Sequence, residues 1–283
     1  MPRYSHRSRT PRRNRGRFGP LFKLLCVLAV IVALTVGATV FFRVETVTVT
    51  GNQRYTQEEI VAASGIQLGD NLYSLNKVRI DRNLRTSLPY IGNLTINRSL
   101  PSTIVITVTE WEAVAQVAVP DPEQAAAYRE AAGEDAVSVA QEPWLISVRG
   151  KLLEPAPADS AAIRVTGLTP LVPQAGSFLE VPEAEQTRLE ALTGLLEVLE
   201  LHDILSEISS IRLESINLVA RYAGRFDVKM RLNADFDYDV RLMLSVRQQV
   251  ELKEGEDAAG SIDLTQERYG AVYSSAGGSQ PQA

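Results

Sequence analysis

The sequence has few of the side chains that enzymes commonly use for nucleophilic or metal-assisted chemistry. Its 283 residues include one cysteine, Cys26, and two histidines, His6 and His202. A Ser-His-Asp or Cys-His site would depend on His202 alone, because His6 lies in a basic arm and Cys26 in an apolar run. We therefore expect no catalytic residue, no metal site and no cofactor, and the single cysteine excludes a disulfide framework.

Carboxylates offer the one alternative chemistry. Asp235, Asp237 and Asp239 stand at alternate positions and could bind Ca²⁺, although the glycine and the bidentate glutamate of an EF-hand loop do not follow them. We favour a solvated turn in which Asp239 caps the next helix. An exported enzyme with carboxylate chemistry at these three residues remains the alternative.

One long uncharged segment is present, nineteen residues from Leu24 to Phe42. A helix of that length spans about 28 Å, close to the hydrocarbon thickness of a bilayer. A single transmembrane helix is predicted. The main alternative is a cleaved signal peptide, because Val36-Gly37-Ala38 would serve as a cleavage site, but the run exceeds the usual secretory core. A buried helix of a soluble domain is a further alternative, which the apolar character of every face disfavours.

Charge is divided unequally between the two sides of this segment. Residues 1–23 form an arm with eight basic and no acidic side chains, and we expect its topology to be set by Arg12, Arg13, Arg15, Arg17 and Lys23. Such an arm stays in the cytoplasm, which places the larger part of the chain outside. The remaining residues carry 21 basic and 34 acidic side chains, so their overall charge argues against nucleic acid or anionic lipid as the main ligand.

The first unit after the apolar segment, residues 43–115, shows clear element signals. A β-branched run, Val44 to Thr50, predicts a strand, and Thr56 with Glu59 has the spacing of a capping box at a helix start. A second helix is indicated by Ile80, Leu84 and Leu88 and is stopped by Pro89. Strands are predicted at 91–98 and 103–110. The order is strand, helix, helix, strand, strand.

This order resembles a POTRA domain placed directly after a membrane anchor, and the chain is similar to the bacterial cell-division family FtsQ/DivIB. The resemblance is carried by Val47 to Asn52, Glu59-Ile60, Gly65-Ile66, Gly69 to Tyr73, Asn97 to Ile104, Thr109-Glu110 and Ala113 to Ala115. Trp111 and Glu112 depart from the basic residue that the family pattern has after the glutamate.

The rest of the chain is read as a second unit with its own core. We expect an Ala- and acid-rich insertion or hinge at 116–143, a distal β domain at 144–273 and a disordered tail at 274–283. A long helix is predicted from Pro182 to Leu201 and a short one from Asp239 to Val250. The fold class is α+β: a single-pass transmembrane helix (24–42), a POTRA domain (βααββ) and a second mixed α/β domain with an antiparallel-rich sheet.

The resemblance implies a non-enzymatic scaffold of the division machinery that is required for septum formation. It implies that the distal domain binds septal coiled-coil proteins of the FtsB/DivIC and FtsL type, partly by β-strand addition. The recognition edge would then include Ile262, Leu264, Tyr269, Gly270, Val272 and Tyr273. Ile262 and Leu264 have the alternative of packing in the core. A proline at Val272 is expected to remove a donor from this edge.

The expected location is the cytoplasmic (inner) membrane, with the N-terminus inside, the C-terminal body outside and concentration at the division septum. The partners are then the coiled-coil proteins and the lipid bilayer, with no nucleic acid and no small-molecule substrate. A different class remains as the alternative: a POTRA-bearing receptor subunit of an export or outer-membrane assembly system.

Overall fold

A computed structural model describes residues 18–120, 141–171, 174–266 and 270–275. It begins with a helix, α1 (Phe18–Phe41), whose segment Gly19–Gly37 is long and apolar enough to cross a membrane and is not buried against the rest of the chain. The helix starts six residues before the predicted Leu24 and leaves Phe42 outside. Lys23 lies within it, whereas Arg12, Arg13, Arg15 and Arg17 lie outside the described residues.

The next unit has the predicted order of a POTRA domain. Its elements are β1 (Thr46–Thr50), α2 (Gln57–Ser64), α3 (Lys77–Ser87), β2 (Ile91–Ser99) and β3 (Thr103–Glu110). The three strands form a sheet in the order β1-β3-β2, with β1 parallel and β2 antiparallel to β3. The expected fold class is confirmed in this unit.

Local sequence signals explain why the two helices form. The Thr56 hydroxyl accepts the backbone N–H of Glu59 at 3.2 Å, and the Glu59 carboxylate accepts the backbone N–H of Thr56 at 2.8 Å, which is the predicted capping box. Gly65 ends α2 in the left-handed region, with φ 71°. The helices then bury Ile60, Ile80 and Leu84 against the sheet, which contributes roughly 1.5–3 kcal/mol for each side chain before entropy is subtracted.

The second unit is built on a mixed sheet of nine described strands. They are β4 (Ala115–Pro120), β5 (Gln141–Ile146), β6 (Leu152–Pro155), β7 (Ile163–Thr166), β8 (Ile208–Leu213), β9 (Asn217–Tyr222), β10 (Phe226–Arg231), β11 (Gly260–Asp263) and β12 (Val272–Ser275). Their spatial order is β12-β11-β10-β9-β8-β7-β4-β5-β6, and five of the eight neighbouring pairs are antiparallel.

Both ends of the expected insertion are strands of this sheet. Residues 116–120 belong to β4 and residues 141–143 to β5, and these two strands pair with each other. The pairing is antiparallel and aligns Val117 with Trp144, so the apolar residues at the segment's first end, Val117 and Val119, join the core. Residues 121–140, the middle of the expected insertion, lie outside the described part of the chain.

Two helices contribute to the core of the second unit. The first, α4 (Gln186–Leu201), follows a short 3₁₀ turn and buries Leu192, Leu196 and Leu199. The second, α5 (Phe236–Glu254), buries Val240, Met243 and Val250.

The predicted start of α5 was wrong. Asp235, rather than Asp239, caps the helix, and its carboxylate accepts the backbone N–H of Tyr238 at 3.1 Å. Asp239 lies inside the helix and is only 8% exposed. An aspartate at either position satisfies a helix N-terminus, so the sequence signal could not distinguish them.

The two units meet at the end of the POTRA sheet that is opposite α1. Tyr90, Leu145 and Leu153 form a small buried cluster there. The buried Lys151 donates from Nζ to the Ile91 carbonyl at 2.7 Å, and the Tyr90 hydroxyl lies 2.7 Å from Glu154 Oε1. Apolar and polar contacts therefore both connect the POTRA domain to the distal domain.

Candidate functional site: an open edge of the distal sheet

The strand β12 forms one edge of the nine-stranded sheet. It pairs with β11 along one side, in antiparallel register from Gly260–Ser275 to Asp263–Val272. Among the described residues no strand covers its other side. The exposed edge of such a strand presents backbone N–H and C=O groups that another chain can pair with.

The register shows which backbone groups face outward. Gly260, which begins β11, and Leu264, which follows it, donate their N–H groups to the Arg225 and Lys229 carbonyls at 3.2 and 2.9 Å, so alternate residues of this segment face β10. The residues between them, Ser261 and Asp263, consequently face β12 and pair with Ser274 and Val272. Because successive residues alternate in direction, the N–H and C=O groups of Tyr273 and Ser275 point away from the sheet.

The structure separates the predicted edge residues into two groups. Ile262 and Leu264 are 0% and 8% exposed and belong to the core, as their alternative interpretation held. Gly270 is exposed with φ 69°, two residues before β12 begins at Val272. Val272 and Tyr273 are half-buried within β12, and Tyr269 lies outside the described residues. The open strand is therefore β12, and β11 is internal.

Two corrections follow for the C-terminal part of this edge. Ser274 and Ser275, expected in the tail, are the last two residues of β12. Val272 faces β11, so a proline there would break the pairing within the sheet instead of removing an outward donor. The two serines carry no hydrophobic pattern, and only the strand register identifies them as part of the edge. Residues 276–283 of the expected tail lie outside the described residues.

Tyr273 holds the edge strand against the body of the domain. Its ring lies 6.4 Å from the ring of Phe226, and its hydroxyl is 2.9 Å from Glu254 Oε2 and 3.1 Å from the Ala259 carbonyl. Burial and the Glu254 carboxylate raise the pKa of the Tyr273 hydroxyl. The strand is thus fixed through this side chain, while no strand of the described residues pairs with its outer backbone groups.

The three aspartates considered as Ca²⁺ ligands have separate roles near this edge. Asp235 caps α5, and Asp237 contacts His202 Nε2 at 2.8 Å and also pairs with Arg241. Asp239 borders a cavity of about 330 Å³. Burial, together with the Asp235 carboxylate, raises the pKa of Asp239 to about 6. The described residues contain no group of three or more His, Cys, Asp or Glu side chains that could hold a metal ion.

Glu110 is a further residue whose role the sequence did not reveal. Its carboxylate accepts the backbone N–H groups of Gln53, Arg54 and Tyr55, at 3.0, 2.6 and 3.2 Å. It thereby connects the end of β3 to the loop after β1. The adjacent Trp111, which replaces a basic residue of the family pattern, packs against the cluster between the two units.

Comparison with known proteins agrees with this architecture. Residues 42–111 match the family model described as a POTRA domain of the FtsQ type. The cell division protein FtsQ of Corynebacterium glutamicum is 32% identical over 89 residues, which cover 31% of this chain and 40% of that protein. FtsQ of Streptomyces coelicolor is 32% identical over 115 residues, covering 38% and 43%. The cell division protein DivIB of Geobacillus kaustophilus is 37% identical over 71 residues, covering 25% and 27%.

Fold and comparisons together define a POTRA-domain protein with an N-terminal apolar helix and a second, sheet-rich domain. The matches span less than half the length of these curated relatives. Within that coverage, the chain is similar to the FtsQ/DivIB family of cell-division proteins. Its helix α1 is long and apolar enough to cross a membrane, and the matched relatives are named as cell division proteins.

Proposed function

We propose that the protein is a non-enzymatic scaffold of the division machinery that binds its partner by strand addition at β12. The observation that carries this proposal is the outer side of β12, where Tyr273 and Ser275 direct their backbone N–H and C=O groups outward. An added strand would satisfy these groups with backbone hydrogen bonds, and its alternate side chains would provide specificity.

The proposed partners are septal coiled-coil proteins of the FtsB/DivIC and FtsL type, as the family resemblance implies. A segment that extends from the end of a coiled coil can pair along β12 without rearrangement of the sheet. The apolar helix would confine this contact to the membrane surface, with the basic arm inside and the two domains outside. We further propose that the protein concentrates at the division septum and is required for septum formation.

The test is a proline at Ser275. Proline lacks the backbone N–H and is tolerated on the solvent side of an edge strand, so Ser275→Pro should remove an outward donor and leave the sheet intact. We expect capture of the extracytoplasmic segment of the FtsB/DivIC-type protein to weaken about tenfold or more, which corresponds to at least 1.4 kcal/mol.

The matched control is Ser275→Ala, which changes the same side chain and keeps the donor. It should bind the partner segment like the unmodified chain. Binding is measured by titration of the purified full chain in detergent, with melting temperatures recorded to confirm that each variant is folded. Equal affinity of a folded Ser275→Pro variant would contradict strand addition at this edge.

A further inference from the structure

The large exposed apolar side chains of the POTRA domain lie together at one end of the domain. Within residues 42–111, all of which the structure describes, four large apolar side chains are more than half exposed: Leu68 (73%), Tyr73 (56%), Val78 (69%) and Leu100 (58%). The other large apolar residues of the domain are mostly buried between helices and sheet. Such a concentration of exposed apolar side chains indicates an interaction surface.

The topology places all four at the end of the domain from which α1 departs. The start of β1 lies at this end because it follows α1 after four residues, and β3 runs parallel to β1 from the same end. The turn between β2 and β3, which contains Leu100, is therefore there too. The connection from α2 to α3 is at the same end, because α2 returns antiparallel to β1. It contains Leu68 and Tyr73. Val78 lies in the first turn of α3, directly after this connection.

Backbone hydrogen bonds fix these loops against the exit of the membrane helix. Leu72 donates to the Phe42 carbonyl at 2.9 Å, and Val44 donates to Asp70 at 2.8 Å. Glu45 donates to the Ser102 carbonyl, in the other loop, at 2.9 Å. The loops therefore cannot move far from the point where the chain leaves the membrane.

Aromatic rings make the surface continuous with the helix. Phe41, the last residue of α1, contacts Phe42 edge to face at 5.2 Å between centroids, and Phe42 contacts Tyr73 in the same way at 5.1 Å. The Arg98 guanidinium lies 5.8 Å from the centre of the Tyr73 ring. Aromatic side chains near a basic group are typical of the interface between hydrocarbon and headgroups.

The charge of this end differs from that of the extracytoplasmic part as a whole. Arg43, Lys77, Arg79 and Arg98 are exposed around the apolar side chains, against the acidic residues Glu45, Asp70 and Asp81. Of these, Asp81 is paired with Arg85 at 3.0 Å. The Asp70 carboxylate is engaged with the backbone N–H of Gln67 at 3.0 Å. A local excess of positive charge favours an anionic lipid surface, although the two domains together are acidic.

We infer that the membrane-proximal end of the POTRA domain lies in the headgroup layer of the bilayer that α1 crosses, with Leu68, Tyr73, Val78 and Leu100 in contact with lipid. The inference rests on the membrane anchoring in the proposed function. It adds a second attachment, which would restrain rotation of the POTRA domain about α1 and so set the direction in which the distal domain extends.

The test measures the depth of spin labels in the full chain. Cys26→Ala removes the native thiol, and labels are then placed singly by Leu68→Cys and Leu100→Cys. Leu201→Cys is the matched control, because Leu201 is a 76% exposed leucine at the end of α4 in the distal domain. Each protein is reconstituted into vesicles of phosphatidylethanolamine and phosphatidylglycerol. Accessibility to oxygen and to a water-soluble nickel chelate is compared.

Labels at positions 68 and 100 should be several-fold less accessible to the chelate than the label at position 201 and more accessible to oxygen. Equal chelate accessibility at all three positions would overturn the inference. A label on the native Cys26, which is exposed on α1, reports membrane anchoring separately. If that label lies in lipid while the labels at 68 and 100 lie in water, the surface contact is overturned and the anchoring is not. Protection seen only in native membranes would also overturn it, in favour of a protein partner.

Discussion

Lys151 is a charged side chain that is buried where the two domains meet. It is 3% exposed, and its ammonium group donates to the Ile91 carbonyl of the POTRA domain. Burial, assisted by the nearby Arg85 guanidinium, lowers the pKa of Lys151 to about 8. A protonated amine at this position therefore costs free energy in the folded state, and a hydrogen bond to the carbonyl offsets part of that cost.

This burial predicts a pH dependence of stability with a definite sign. Between about pH 8 and pH 10.5 the unfolded chain holds a proton at Lys151 that the folded chain has lost, so the contribution of Lys151 to the free energy of unfolding rises with pH. We expect Lys151→Met to remove on the order of 2 kcal/mol of this rise between pH 7 and pH 10.

The measurement is urea unfolding of the full chain in detergent at both pH values, with Lys253→Met as the control. Lys253 is exposed in the last turn of α5. The two variants should therefore differ in how their free energy of unfolding changes with pH. Parallel pH profiles for the Lys151→Met variant and the unmodified chain would contradict the account of Lys151.

At the scale of elements, Glu110 shows how one carboxylate connects two parts of the POTRA domain. It ends β3 and accepts three successive backbone N–H groups of the loop between β1 and α2. The same loop places Arg54 beside Tyr90, with the guanidinium 3.8 Å from the ring centre, and 2.9 Å from Glu154 of the distal domain. The loop that Glu110 binds therefore also takes part in the contact between the two domains, through Arg54.

Glu110→Gln should loosen this loop without changing the shape of the side chain. An amide presents one acceptor oxygen where the carboxylate presents two, and hydrogen bonds to a charged group contribute about 1.5–3 kcal/mol each. We expect amide hydrogen exchange of residues 53–55 to be about tenfold faster or more, as a loss of 1.4 kcal/mol would produce.

The neighbouring Glu112→Gln is the control, since Glu112 is exposed and its carboxylate contacts none of these amides. Exchange is followed by mass spectrometry of the folded full chain. Unchanged protection of residues 53–55 in the Glu110→Gln variant would show that the carboxylate does not hold the loop.

Elements governed by neighbours in sequence could be predicted, and elements governed by distant partners could not. The capping box at Thr56, the stop at Pro89 and the order of the POTRA elements all depend on residues a few positions apart. By contrast, β4 is ordered by parallel pairing with β7, which lies more than forty residues later, and the sequence predicts an insertion or hinge for its residues 116–120. Residues 274–275 became strand for the same reason, because β11 supplies their partners.

The candidate site likewise has one feature that could be predicted from the sequence and others that could not. The resemblance to the FtsQ/DivIB family points to the β11–β12 region, but it does not tell the internal strand from the edge strand. It also could not determine which residues of β12 turn their backbone groups outward, because that depends on the register with β11. The three-dimensional pairing therefore moves the decisive proline test from Val272 to Ser275.

At the scale of the whole molecule, the described structure connects the apolar helix α1 to the edge of the distal sheet through contacts at both ends of the POTRA domain. Backbone hydrogen bonds tie the end of α1 to the loops of the POTRA domain, and the cluster of Tyr90, Leu145 and Leu153 ties that domain to the distal sheet. In the proposed function, this connection presents β12 to a coiled-coil partner at a set distance from the membrane.

The central claim, that the protein is a membrane-anchored scaffold of the division machinery, is tested most directly by its position in dividing cells. A fluorescent fusion to the N-terminus of the full chain is expressed in cells depleted of the native protein. The account predicts a band at midcell and restored division. A uniform membrane signal without a midcell band, in cells that express the intact fusion, would contradict it.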